Sequence, residues 1–161
     1  MKKYNVARIA IAIALLLVAF TCQACSDDKL KAIASNVDRV AILIKDGREI
    51  KDELETQAII SQDEGRKISL ALLKVNNALK AFNTQAKLYA SAGEIDPAGK
   101  ADLKQLATNI ANAVGDLISD GTFGVKNAEA QARINAAIGS LKQVTLAIVD
   151  TVTLIKAKGV K

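Results

Sequence analysis

Apolar residues recur at alternating steps of three and four along most of the chain, and this spacing predicts four amphipathic helices. The first stripe is Leu30, Ile33, Val37, Val40 and Ile44, behind Ser26, Asp27 and Asp28, a hydroxyl cap and two acids suited to the positive end of a helix dipole. Asp46-Gly47 and Lys51 interrupt it before Leu54 and Ala58 resume it. An Asp-Gly between Ile42-Leu43-Ile44 and Ile50 also fits a β-hairpin. A continuous helix is the expectation, because Glu, Lys and Leu dominate the residues that follow. A second helix opens at Ser61-Gln62-Asp63-Glu64, the spacing of a capping box, with the stripe Ile68, Leu72, Val75, Leu79, Phe82, Ala86 and Tyr89. Asn76, Asn77 and Asn83 fall off that stripe and read as surface polarity.

The stretch from Gly93 to Gly99 is the clearest break. Asp96 caps the third helix and Pro97 takes its first position, where a missing N–H costs nothing. Leu103, Leu106, Ile110, Ala113 and Leu117 form its stripe, opposite Gln105, Asn109, Asn112 and Asp116. Turn chemistry at Asp120 to Gly124 ends it, without the alternating acidic ligands of a calcium loop. The fourth segment, Asn127 to about Lys158, carries Ile134, Ile138, Leu141, Thr145, Ile148, Val152 and Ile155. The β-branched run from Val144 to Leu154 also suits a strand. Helix is expected because the periodicity continues unbroken from the Ala-rich start, with Lys156, Lys158 and Lys161 complementing the negative end of the dipole.

Four such helices with short connections imply an all-α fold, an antiparallel up-and-down four-helix bundle over residues 25–161 as a single domain. Heptad-like stripes also suit coiled-coil pairing within or between chains. Many stripe positions are Ala, which admits close helix approach but buries little area, so long contact must replace bulky side chains.

The segment ahead of this domain has a different pattern. Lys2, Lys3 and Arg8 precede an uncharged run of about 12 residues from Ile9 to Phe20, then Thr21-Cys22-Gln23-Ala24-Cys25, the layout of a bacterial export signal spanning residues 1–24. A membrane-spanning helix needs roughly 18 or more apolar residues, so a cleaved leader is expected rather than a retained anchor. With Ala24 before Cys25, the segment resembles the bacterial lipoprotein signal, in which the cysteine is lipidated and becomes the first residue. That resemblance covers the first 25 residues only, and Cys22 stands where Leu is usual. It implies Cys25 as the lipid attachment site. Cys22 ranks below it, because Phe20 and Thr21 precede it where small residues are wanted.

Removing the leader lowers Lys plus Arg from 22 to 19 against 17 acids, so the net charge falls from +5 to +2. The basic character therefore belongs in part to the leader. Nucleic-acid binding wants a basic face with stacking aromatics, and the mature chain has Phe82, Tyr89 and Phe123 alone. Cys22-Gln23-Ala24-Cys25 spells C-x-x-C, but a zinc site needs about four ligands and the chain has no histidine and no other cysteine. A redox pair would be expected at a helix start in a βαβ context.

These absences also remove the commonest general base and nucleophiles, so no catalytic, metal or cofactor residue is expected. The carboxylates Asp52, Glu53 and Glu55 lie in a charged run that reads as a solvated, salt-bridged face, with pairs Lys45–Glu49, Arg48–Asp52 and Lys51–Glu55. The expectation is an exported cell-envelope protein, held at the membrane surface through Cys25 or released to the periplasm, acting as a non-catalytic interaction or scaffolding module toward an envelope protein. The alternative is a periplasmic carrier of an apolar small ligand, hinted at by Thr145, Asn135 and Lys51. A large internal cavity favours the carrier, and a tight core with an exposed apolar strip favours the interaction module.

Overall fold

The computed structural model describes the backbone of residues 3–93, 95–119 and 124–157, and the side chains of 29–93, 95–117 and 124–157. It contains α1 (Lys3–Thr56), α2 (Gln62–Ala92), α3 (Pro97–Ser119) and α4 (Ala128–Thr153), with no strand among the described residues. Helix α1 packs against α2 and α4, and α3 packs against the same two, an all-helical arrangement consistent with a helical bundle. No helix among the described residues is long and apolar enough to cross a membrane.

Both strand alternatives are replaced by helix. Helix α1 runs through Asp46-Gly47, and α4 runs through Val144 to Thr153. Burial of Leu141, Thr145, Ile148 and Val152 on one helical face outweighs the β preference of the branched residues. The first helix begins at Lys3 and not at Ser26, because the Ala- and Leu-rich leader is itself a good helix former and continues into the domain. Leader side chains, Cys25 included, and the loop residues 120–123 lie outside the described residues.

Stripe positions of the second and fourth helices are buried as predicted from Ile68 to Ala86 and from Ile134 to Ile155, with Tyr89 half-buried. Helix α3 differs. Its core positions are Leu103, Ala107, Ile110, Val114 and Leu117, while Leu106 and Ala113 are half-buried beside them. Leu103, Ile110 and Leu117 are core positions as expected, whereas Leu106 and Ala113 each stand one residue, about 100° of rotation, from the buried Ala107 and Val114. Thr145 is the one buried polar residue among those described, and its Oγ1 has no hydrogen-bond partner. An unmet buried hydroxyl costs roughly 1–3 kcal/mol.

The turns are set by specific caps. Ser61 accepts the Glu64 N–H at 3.3 Å while the Glu64 carboxylate accepts the Ser61 N–H at 2.6 Å, the predicted capping box. Asp96 accepts the Gly99 N–H at 2.6 Å, and Asn127 accepts from Glu129 and Ala130. Gly93 closes α2 at φ +70°, a left-handed conformation that glycine adopts without Cβ strain. At the end of α1 the expected continuation through Ala58 fails. Ala58 has φ +55° and is exposed, and the Ile59 N–H donates to the Leu54 carbonyl while the Ala58 N–H donates to Glu55. That pair of bonds is a Schellman ending, with alanine where glycine is usual. Ile60, not Ala58, then turns into the core. Helix α4 also stops earlier than predicted: Leu154 caps it, Ile155 remains buried beyond it, and Lys156 follows the helix instead of lying in its last turn.

Two opposite substitutions test this backbone. Gly47 is helical, and an added Cβ would make ordinary contact with both Leu72 methyls at 3.4 Å. Gly47→Ala is therefore expected to raise unfolding stability by about 0.5–1 kcal/mol in urea titration of the full chain, whereas a hairpin at Asp46-Gly47 would make the same change destabilising. Ala58→Gly is expected to stabilise by a similar 0.5–1 kcal/mol, by relieving the left-handed residue. A loss of stability would refute the Schellman ending.

Candidate functional site

In the α1 charged run Glu49, Asp52, Glu53 and Glu55 have cationic partners, and these carboxylates do not converge. Lys51, only 14% exposed at its side chain, pairs with Asp52 and with Glu55 at 3.0 Å. The hydrogen bond to Asp52 first, and then Glu55, hold the Lys51 ammonium above its ordinary pKa against the opposing effect of burial. The predicted Lys45–Glu49 and Lys51–Glu55 pairs form, whereas Asp52 goes to Lys51 in place of Arg48. Gly65 of α2 is buried against the Glu55 carboxylate, which fills the space a Cβ would take. The lysine that breaks the apolar stripe is thus neutralised where α1 meets α2.

Glu53 points to α4 and forms a forked pair with Arg133, Nη2 to Oε2 at 2.6 Å and Nη1 to Oε1 at 3.3 Å. Arg133 holds the Glu53 carboxyl below its ordinary pKa, first by hydrogen bonding and then by its charge. Glu64 lies at another junction. Besides Ser61 it accepts the Lys126 N–H at 3.3 Å, tying the start of α2 to the segment before α4, and the Ser61 hydrogen bonds lower its pKa most. Nothing in the local spacing of Glu64 pointed to Lys126, which is 62 residues away.

The proposed ligand-site hints remain apart: Thr145 is sealed in the core, Asn135 is exposed on α4, and Lys51 is held by its acids. No group of three or more His, Cys, Asp or Glu among the described residues is arranged to hold a metal. Inside the helices, a cavity of about 20 Å³ lies between Ile50, Leu72, Leu117, Ile138 and their neighbours. Ligand pockets are typically 300–1,000 Å³.

Larger concavities lie outside the core. Arg39, Ile42, Leu43, Ser140, Gln143 and Val144 line a groove of about 300 Å³ over α1 and α4. A second of about 640 Å³ follows α2, with Lys67, Leu70, Ala71, Leu73, Lys74 and Asn77 on its wall and Gly124 at its edge. The solvent side of α2 also presents Leu88, 59% exposed, beyond Leu70 at 56% and Leu73 at 45%. The stripe reading of α2 named its core face and left these leucines unassigned.

No protein family, curated protein or solved structure matches the chain.

The forked ion pair gives a pH signature. A carboxylate whose folded pKa lies below its ordinary value near 4.5 stabilises the fold above that value, and the contribution is lost as pH falls through the lowered folded pKa. Arg133→Gln is expected to reduce Tm slightly at pH 7, with the gap to the parent narrowing below about pH 4.5. A gap that stays constant into strong acid would show that Arg133 acts through packing alone.

Proposed function

We propose that the chain is an exported cell-envelope protein of the helical-bundle type, lipid-anchored at Cys25, that serves as a non-catalytic interaction or scaffolding module. The observation that carries this reading is the contrast between inside and outside. The cavity described between the helices holds about 20 Å³, while Leu70, Leu73 and Leu88 remain in solvent on a helix whose opposite face is already packed. A carrier of an apolar ligand would need a core that opens several hundred Å³. The envelope address rests on the leader, whose charged start, short apolar run and Ala24-Cys25 ending suit export and acylation.

The bundle in this proposal is antiparallel and up-and-down. Two contacts at opposite ends of the α1 and α4 pair support that order: the Lys29 ammonium donates to the Leu154 carbonyl at 2.5 Å, and Glu53 holds Arg133. Tyr89, near the end of α2, donates to Asp102, near the start of α3, at 3.2 Å, as a tight reversal requires.

The test is the intact mass and N-terminal peptide of the protein recovered from a bacterial envelope, with a Cys25→Ser variant alongside. The expected result is a native chain that starts at a lipid-modified Cys25 and a variant that leaves the membrane fraction. A chain that starts at an unmodified Cys25 overturns the anchor. Retention of Met1 overturns the cleaved leader and makes Ile9 to Phe20 the attachment.

A further inference from the structure

We propose that the outer face of α2 is a docking surface for an anionic lipid bilayer, along which the helix lies parallel to the headgroup plane. This names a partner for the interaction module and rests on that reading only to bring the chain beside a membrane.

Charge makes the first argument. From Gly65 to Gly93 there is no acid, while Arg66, Lys67, Lys74, Lys80 and Lys87 supply five cations. Residues outside that stretch therefore carry −3 of the mature chain's +2. Arg66 and Lys67 are paired with Asp63, but Lys74, Lys80 and Lys87 are exposed and have no acid on their own helix within reach. The other charged runs of the fold mix both signs, as between Lys45 and Glu55. An extended basic strip demands an anionic partner.

Periodicity decides which one. Leu70, Leu73, Asn77, Ala81, Thr84 and Leu88 are all exposed and share one face, opposite the core stripe from Ile68 to Ala86. Leu70 and Leu88 are 18 residues apart, five turns of a straight helix, so both meet one flat plane. A supercoiled partner helix follows a seven-residue repeat instead, and from Leu70 and Leu73 that repeat places Lys80 and Lys87 in the buried seam. A flat partner leaves the lysines at the flanks, where long stems let ammonium groups reach phosphates while the leucines enter the boundary below them. The face has no exposed aromatic, since Phe82 is buried and Tyr89 half-buried, so it is poorly made for stacking nucleic-acid bases.

The test reads the face directly and does not depend on how the chain is tethered. Full-chain protein is reconstituted with vesicles of phosphatidylcholine alone or with phosphatidylglycerol added, and labelled with a water-soluble amine reagent, with peptide mass analysis. On anionic vesicles Lys74, Lys80 and Lys87 are expected to label at least roughly threefold more slowly than on neutral ones, while exposed Lys104 and Lys142 are unchanged, and high salt is expected to abolish the difference. A Leu70→Ser, Leu73→Ser, Leu88→Ser variant, which alters no core residue, is expected to lose most of the protection. Equal labelling on both vesicles overturns the proposal and leaves the face to a protein partner. Protection that appears without vesicles and grows with protein concentration overturns it in favour of a second copy of this chain. Because the readout is internal to α2, either failure is distinguishable from failure of the Cys25 anchor, which the N-terminal peptide reports separately.

Discussion

Phe82 is the only aromatic side chain wholly inside the described core, and the remaining buried hydrophobic positions are Leu, Ile, Val and Ala. Burying an aliphatic side chain of Leu size contributes about 1.5–3 kcal/mol, and alanine much less, so stability must come from many modest contacts in series. That constraint explains the long helices and the unbroken stripes. It also explains why a charged interruption of a stripe needs a partner that neutralises it. Lys51 is tolerated at the edge of the core because Asp52 and Glu55 surround its ammonium.

Stripes of similar aliphatic residues are poor at choosing one alignment over another, because sliding by a turn replaces Leu with Ile at little cost. Polar groups at the ends of the helices supply that choice. Glu53 binds Arg133 across α1 and α4, Glu64 joins its own cap to the Lys126 backbone, and Tyr89 rests on Gly99 while reaching Asp102. Each is partly exposed and contributes little by itself. Together they penalise a displaced register, since a shift of one turn would separate every pair at once.

The same economy separates inside from outside. The described cavity between Ile50, Leu72, Leu117 and Ile138 is about 20 Å³, while the described grooves of about 300 and 640 Å³ lie at the surface. Beyond its first turn, which holds Asp63 and Glu64, helix α2 is unusual there in carrying charges of one sign with leucines between them. A helix that already buries one face gains nothing for folding from apolar residues on the other, and exposing them costs solubility.

Much of the architecture was legible from local chemistry. The stripes of the second and fourth helices, the Ser61 capping box and the Asp96 cap depend on residues within a few positions of one another. So do the leader and the absence of histidine, which set expectations for export and against common catalytic groups. Tertiary structure alone decided the rest. It buried Ala107 and Val114 in preference to leaving them beside a Leu106 face, ended α1 at Ala58 so that Ile60 could turn inward, and brought Lys126 to Glu64. The outer face of α2 was present in the sequence as Leu and Lys, but its significance needed the packed partner on the opposite side. The physical reason is that periodicity reports which residues share a face, whereas burial depends on what the remainder of the chain places against that face.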